Sequence, residues 1–155
     1  MRFAWEKEAY VSRELRCRCE PYKFVNAASY VASKCPDTTK MKLCKLLFFA
    51  DKEHLLNYGR PIIGDRYIKM EFGPVPSMAY NLMKHDERAA VHDQELFDER
   101  LDVQVNRIVP KTEPDLRYLS ESEVEALDSV ITKYGHLTPG SVEQTVTSGS
   151  SLGKR

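Results

Sequence analysis

The stretch KLLFFADKEHLLNYGRP, residues 45–61, decides the fold. It joins the most apolar run of the chain to Asp51, Glu53 and His54 and then to a Gly-Arg-Pro turn. Read backward to Lys40, the apolar positions Met41, Leu43, Cys44, Leu46, Leu47, Phe48, Ala50, Leu55 and Leu56 cover more than one side of a 3.6-residue period. A helix that is apolar over most of its girth belongs at the centre of a fold. Gly59 supplies a left-handed stop and Pro61 follows it, so the helix is expected over 40–58.

Working outward, "PYKFVNAASYVASK" places Phe24, Val25, Ala28, Val31 and Ala32 on one helical stripe. Pro36 ends that helix, and Asp37, Thr38 or Thr39 is expected to cap the next. After Pro61 the period drops to two. Tyr67, Lys69 and Glu71 alternate with Ile68, Met70 and Phe72, which reads as a strand ended by Gly73-Pro74 and Pro76. Ser77 is the expected cap of a third helix. "LDVQVNRIVP" alternates, then changes phase near Asn106, which implies a turn or bulge. "LRYLS" reads as a short strand. Ser120 and Glu123 form a capping box ahead of Val124, Leu127, Val130 and Ile131 at helical spacing. Tyr134-Gly135 stops that helix, and Thr138-Pro139 opens a short further one. The expected architecture is α+β: one helix-dominated domain over 21–147 with a small antiparallel β-sheet, an N-terminal extension over 1–20 and a flexible polar tail over 148–155.

The totals narrow the function classes. The chain has 155 residues, enough for one core that needs no disulfide or metal. Its 23 basic and 23 acidic residues cancel, which argues against a protein that mainly coats nucleic acid. Of the four cysteines, Cys17, Cys19, Cys35 and Cys44, none forms the C-x-x-C pair of a zinc knuckle. Cys44 is expected as a buried free thiol, in keeping with a reducing cytoplasm. No apolar run reaches the length of a membrane span, and no signal-type apolar segment opens the chain. Phosphate-binding glycine loops and the serine-elbow motif are missing.

Several residues stand out chemically. Asp51 and His54, three apart, share a helix face, where they could hold a metal, act as an acid–base pair, or fix the helix to the following "GRPIIGD" loop. The structural role for His54 is the expected one. Lys40, Lys42, Lys45 and Lys52 are expected on a solvated face. Arg60, Asp65 and Arg66 are expected to order the loop through ion pairs. His85, His92 and His136 lie in polar segments and are expected at the surface.

Lys45-Leu46-Leu47-Phe48-Phe49-Ala50-Asp51, then His54, Tyr58-Gly59-Arg60-Pro61, Gly64-Asp65, Tyr67 and Gly73-Pro74-Val75-Pro76 follow in an order and spacing that resembles the Panacea domain, the SocA-like antitoxin and phage-associated family. "LSESEVEALDSVITKYGHLTP" is similar to the family's later helix. The resemblance implies family-motif roles for Lys45, Leu46, Leu47, Ala50, Asp51, His54, Gly59, Pro61, Asp65, Gly73 and Pro74. It also implies a non-enzymatic, cytoplasmic antitoxin without cofactor or metal. Such a protein binds a protein toxin, either covering it directly or presenting it as a proteolytic adaptor to a AAA+ protease. Arg60, Tyr67, Phe72 and Tyr80 are the candidate partner anchors, because arginines and aromatics dominate such interfaces. Two other readings remain: a nucleic-acid-binding regulator of a phage or toxin–antitoxin operon, and a small metal-dependent hydrolase using Asp51 and His54.

Overall fold

The structure is a computed structural model and describes residues 20–71 and 73–136. The N-terminal extension, Phe72, the helix expected at Thr138-Pro139 and the polar tail lie outside the described residues.

Helix α1 spans Pro21–Lys34 and starts on proline, whose missing amide costs nothing in a first turn. Phe24, Val25, Ala28, Val31 and Ala32 are all buried, as their spacing requires. Helix α2 spans Lys40–Tyr58. Thr39 is its cap: the hydroxyl accepts from the Lys42 amide at 3.1 Å. Gly59 closes it with φ +77°, a left-handed turn that glycine adopts without Cβ strain. Leu43, Cys44, Leu46, Leu47 and Ala50 form the centre of the core.

That central position overturns one expectation. Lys42 and Lys45 are fully buried rather than solvated, because nearly every side of α2 is covered. Lys42 donates to the Gly135 carbonyl at 2.5 Å and pairs with Asp37 at 3.3 Å, holding the ends of two helices together. Burial also pushes the Cys44 thiol up to about 12, with no disulfide at either described cysteine. The apolar cover stops short of the last turn, where Leu56 is exposed.

Hairpin β1 (Tyr67–Met70) and β2 (Gly73–Pro76) follow, then α3 (Ser77–Met83), α4 (Val91–Arg100), hairpin β3 (Leu101–Gln104) and β4 (Arg107–Pro110), a single 3-10 turn (Leu116–Tyr118) and α5 (Glu121–Tyr134). The fold is the expected helix-dominated α+β, with its antiparallel part split into two separate two-stranded ribbons. Helix α2 packs most extensively on α5, and β2 also lies against it. Phe49 stacks on Tyr134 at 4.4 Å, Phe24 on Phe97 at 6.2 Å, and Phe48 meets the Tyr67 edge at 5.5 Å. Among the described residues, no helix is long and apolar enough to cross a membrane.

Three local readings change. Gly73-Pro74-Val75-Pro76 does not end a strand; it is the return strand, paired Tyr67↔Pro76, Ile68↔Val75, Lys69↔Pro74 and Met70↔Gly73. The Ser77 amide donates to the Arg66 carbonyl at 2.9 Å, which makes Arg66 and Ser77 a hydrogen-bonded pair. Antiparallel pairs alternate, so Pro74 and Pro76 fall at positions whose amides would point outward. Their missing N–H groups therefore leave the inner ladder intact. Leu116–Tyr118 is a 3-10 turn rather than a strand, its start tied by the Asp115 carboxylate to the Arg117 amide at 3.1 Å. Ser77 does not cap α3; Asp65 does, as described below. The phase change near Asn106 is a two-residue turn in which Val105 takes φ +62°.

Candidate functional site

The residues of the family motif meet where α2 ends and the loop of residues 59–66 folds back. Asp51, buried, accepts from the Ile62 amide at 2.9 Å, the Ile63 amide at 3.0 Å and the Tyr67 hydroxyl at 2.7 Å. Burial raises its carboxyl and these donors oppose the shift, leaving it at about 6. Asp65, also buried, accepts from the amides of Arg66, Met78 and Ala79 at 2.7, 3.2 and 2.9 Å. A carboxylate from the loop ahead of the hairpin thus performs the capping that Ser77 was expected to supply. Burial raises the Asp65 carboxyl as well.

His54 is fully buried between the same loop and α5. Its Nδ1 lies 2.7 Å from the Arg60 carbonyl and its Nε2 lies 2.9 Å from the Ser122 hydroxyl. A carbonyl only accepts, so Nδ1 carries the proton. Nε2 and the Ser122 hydroxyl share the second bond, a contact that a hydroxyl can make as donor or acceptor. The imidazole stitches α2, the loop and α5 together, and its ring lies 4.7 Å from that of Tyr58.

Glu123 completes the junction. Its Oε1 accepts from the Ser120 amide at 2.8 Å, and its own amide donates to the Ser120 hydroxyl at 3.3 Å, closing the capping box. Its Oε2 takes both Lys23 at 2.6 Å and Arg60 at 2.5 Å. One buried carboxylate therefore ties α1, the loop and α5. Burial alone would raise its pKa; hydrogen bonds from Arg60 and Lys23 outweigh that and hold it at about 2.

Asp51 and His54 share a helix face yet serve different partners, one the Ile62–Ile63 backbone and the other Arg60 and Ser122. Among the described residues no group of three or more His, Cys, Asp or Glu side chains is arranged to hold a metal. Leu46, Leu47 and Ala50 are core, Lys45 is buried beside them, and Pro61 shapes the loop. Gly73, at φ +118°, and Pro74 build the second strand.

The expected anchors separate. Arg60 is half exposed but is drawn to Glu123 rather than to Asp65. Tyr67, one of the candidate anchors, is buried with its hydroxyl on Asp51. Tyr80 is half-buried with the Lys84 ammonium 5.0 Å above its ring. Phe72 lies outside the described residues. His85, His92 and His136 are exposed as expected, and His85 meets Asp98 at 2.8 Å. Sequence reasoning did not single out Lys23, Ser122 or the second role of Glu123. Only the capping box hinted at Glu123, and nothing local marks a contact 100 residues away in the chain.

No curated protein and no solved structure matches the chain. The model of the family described as antitoxin SocA-like, Panacea domain, matches residues 43–148, well over half of the chain. The chain belongs to the SocA-like antitoxin, Panacea domain family.

Proposed function

We propose that this chain is an antitoxin-type interaction domain that neutralises a protein toxin by binding it. The family match over residues 43–148 carries this reading. The junction supports it. The motif's carboxylates and imidazole are taken up by hydrogen bonds that hold the loop of residues 59–66 rigid between helices, which suits a scaffold that presents a fixed surface. A rigid surface loses little entropy on association, so a standard interface of about 800 Å² per partner can be strong.

The test is co-expression with the product of the adjacent gene. The proposal expects that product to arrest growth alone and growth to return when this chain is present. Rescue that persists in a strain lacking AAA+ proteases means direct occlusion. Rescue lost in that strain means the chain is an adaptor. Arrest that this chain never relieves overturns the proposal.

A further inference from the structure

We propose that the outer edge of β1 receives an extended strand of the protein partner, centred on Lys69. The inference rests on the interaction reading above and names the element that does the binding.

The hydrogen-bond register supplies the argument. Arg66 and Ser77 form a hydrogen-bonded pair, so Ile68↔Val75 and Met70↔Gly73 do too, whereas Lys69↔Pro74 does not. The N–H and C=O of Lys69 therefore point away from β2. Among the described residues no strand pairs with β1 on that side. The opposite edge of the hairpin is closed chemically, since Pro74 and Pro76 stand at its outward-facing positions and have no N–H to offer. The same alternation predicts that Ile108, in a non-hydrogen-bonded pair, aims its amide outward from β4. It does, donating to Thr38 at 2.8 Å, so that edge is occupied. Strand β3 runs on directly from α4 and is buried or half-buried over Leu101–Val103, whereas β1 is exposed over Ile68–Met70. Open edges invite pairing, and proteins normally blunt them. Among the described residues, then, the β2 edge is blocked by prolines, the β4 edge is covered, and β1 stays open.

The side chains on β1 indicate what it takes. Ile68 and Met70 share a face of the strand and are 45% and 43% exposed, an apolar strip ready for alternate side chains of an added strand. The exposed charges of the hairpin are Arg66, Lys69 and Glu71, a positive excess of one. A second copy added antiparallel about Lys69 would set lysine against lysine, which is unfavourable. The fitting occupant is a heterologous strand with apolar residues at alternate positions and an aspartate or glutamate opposite Lys69.

Lys69→Pro deletes the outward amide without touching an inner ladder bond, and Lys69→Ala keeps the amide. The probe is the purified product of the adjacent gene, taken as the toxin once it is shown to arrest growth. Lys69→Pro should weaken binding at least about tenfold, the equivalent of one lost interface hydrogen bond. Lys69→Ala should retain most of the affinity, and Met70→Asp should weaken binding by a similar factor to the proline. Because proline could disturb the hairpin, hydrogen exchange on the wild-type complex gives an independent readout: the Lys69 amide should exchange quickly alone and be protected when bound. An unprotected Lys69 amide, or toxin binding unchanged by both Lys69→Pro and Met70→Asp, overturns strand addition and leaves the interaction reading standing. A wild-type chain that does not bind the toxin overturns both. Self-association of the free chain through this edge, lost in Lys69→Pro, would assign the edge to a second copy and overturn the proposal.

Discussion

Replacing Asp51 by asparagine should change how stability depends on pH, and in one direction only. In the folded chain burial outweighs the Ile62, Ile63 and Tyr67 donors and leaves the carboxyl at about 6, against an ordinary value of 3.8. The folded state therefore binds the proton more tightly than the unfolded state. A group of that kind contributes most below pH 3.8, and its contribution is lost as pH rises through 6. At 1.36 kcal/mol per pH unit, a rise from 3.8 to about 6 amounts to about 3 kcal/mol in all, most of it lost between pH 4 and pH 7. Asparagine can still accept from the two isoleucine amides and does not ionise, so it escapes that loss. The assay is urea unfolding of both proteins at intervals from pH 4 to pH 7. Subtracting one profile from the other removes every other titrating group, Glu123 included. The difference should move by about 3 kcal/mol in favour of asparagine as pH rises. A flat difference profile, or one that moves in favour of the wild type, would refute the claim that burial controls this carboxyl.

Other outcomes follow from the same geometry. Glu123→Gln should cost about 1.5–3 kcal/mol in urea unfolding at pH 7, since it removes the charge held by Lys23 and Arg60. Because the Glu123 pKa is depressed to about 2, that stabilisation should be present above pH 4.5 and fade as pH falls toward 2, where wild type and variant converge. Gly135→Ala should lower the melting temperature: an added Cβ would lie 2.5 Å from the Ile131 carbonyl and 2.8 Å from the Cys35 sulfur, an overpacking worth about 1–3 kcal/mol. Val105→Gly should raise it slightly by relieving roughly 1 kcal/mol of strain at a β-branched residue with φ +62°; an unchanged or lower value would count against strain at that turn. Leu46→Ala, at a fully buried position of α2, should cost about 2–5 kcal/mol.

Much of the helical layout was legible because its signals are local. Pro21, Thr39, Gly59 and the Ser120–Glu123 box mark helix ends through bonds formed within one turn, and all four act as their types suggest. The failures share a cause, in that each depends on a partner outside the helical turn or strand in which the residue itself sits. Ser77 looks like a cap until Asp65 reaches the same amides from another segment. Pro74 and Pro76 look like strand breakers until the register shows their missing amides facing outward. Lys42 and Lys45 look like surface charge until α5 and the neighbouring chain cover α2. The loop-fixing role of His54 was readable from its position ahead of the Gly-Arg-Pro turn, but its bond to Ser122 spans 68 residues and has no local mark. Tyr67 illustrates the limit for partner anchors. An aromatic on an alternating strand can face either way, and here it turns inward to Asp51.

The most direct test of toxin neutralisation uses two purified components and no protease. The product of the adjacent gene, if it arrests growth, is assayed for its own activity while this chain is titrated in, and the mixture is examined by sedimentation. The account predicts a defined complex and toxin activity that falls to background as the chain reaches stoichiometric amounts. Toxin that stays fully active in a large excess of the folded chain, with the two proteins sedimenting separately, would contradict it.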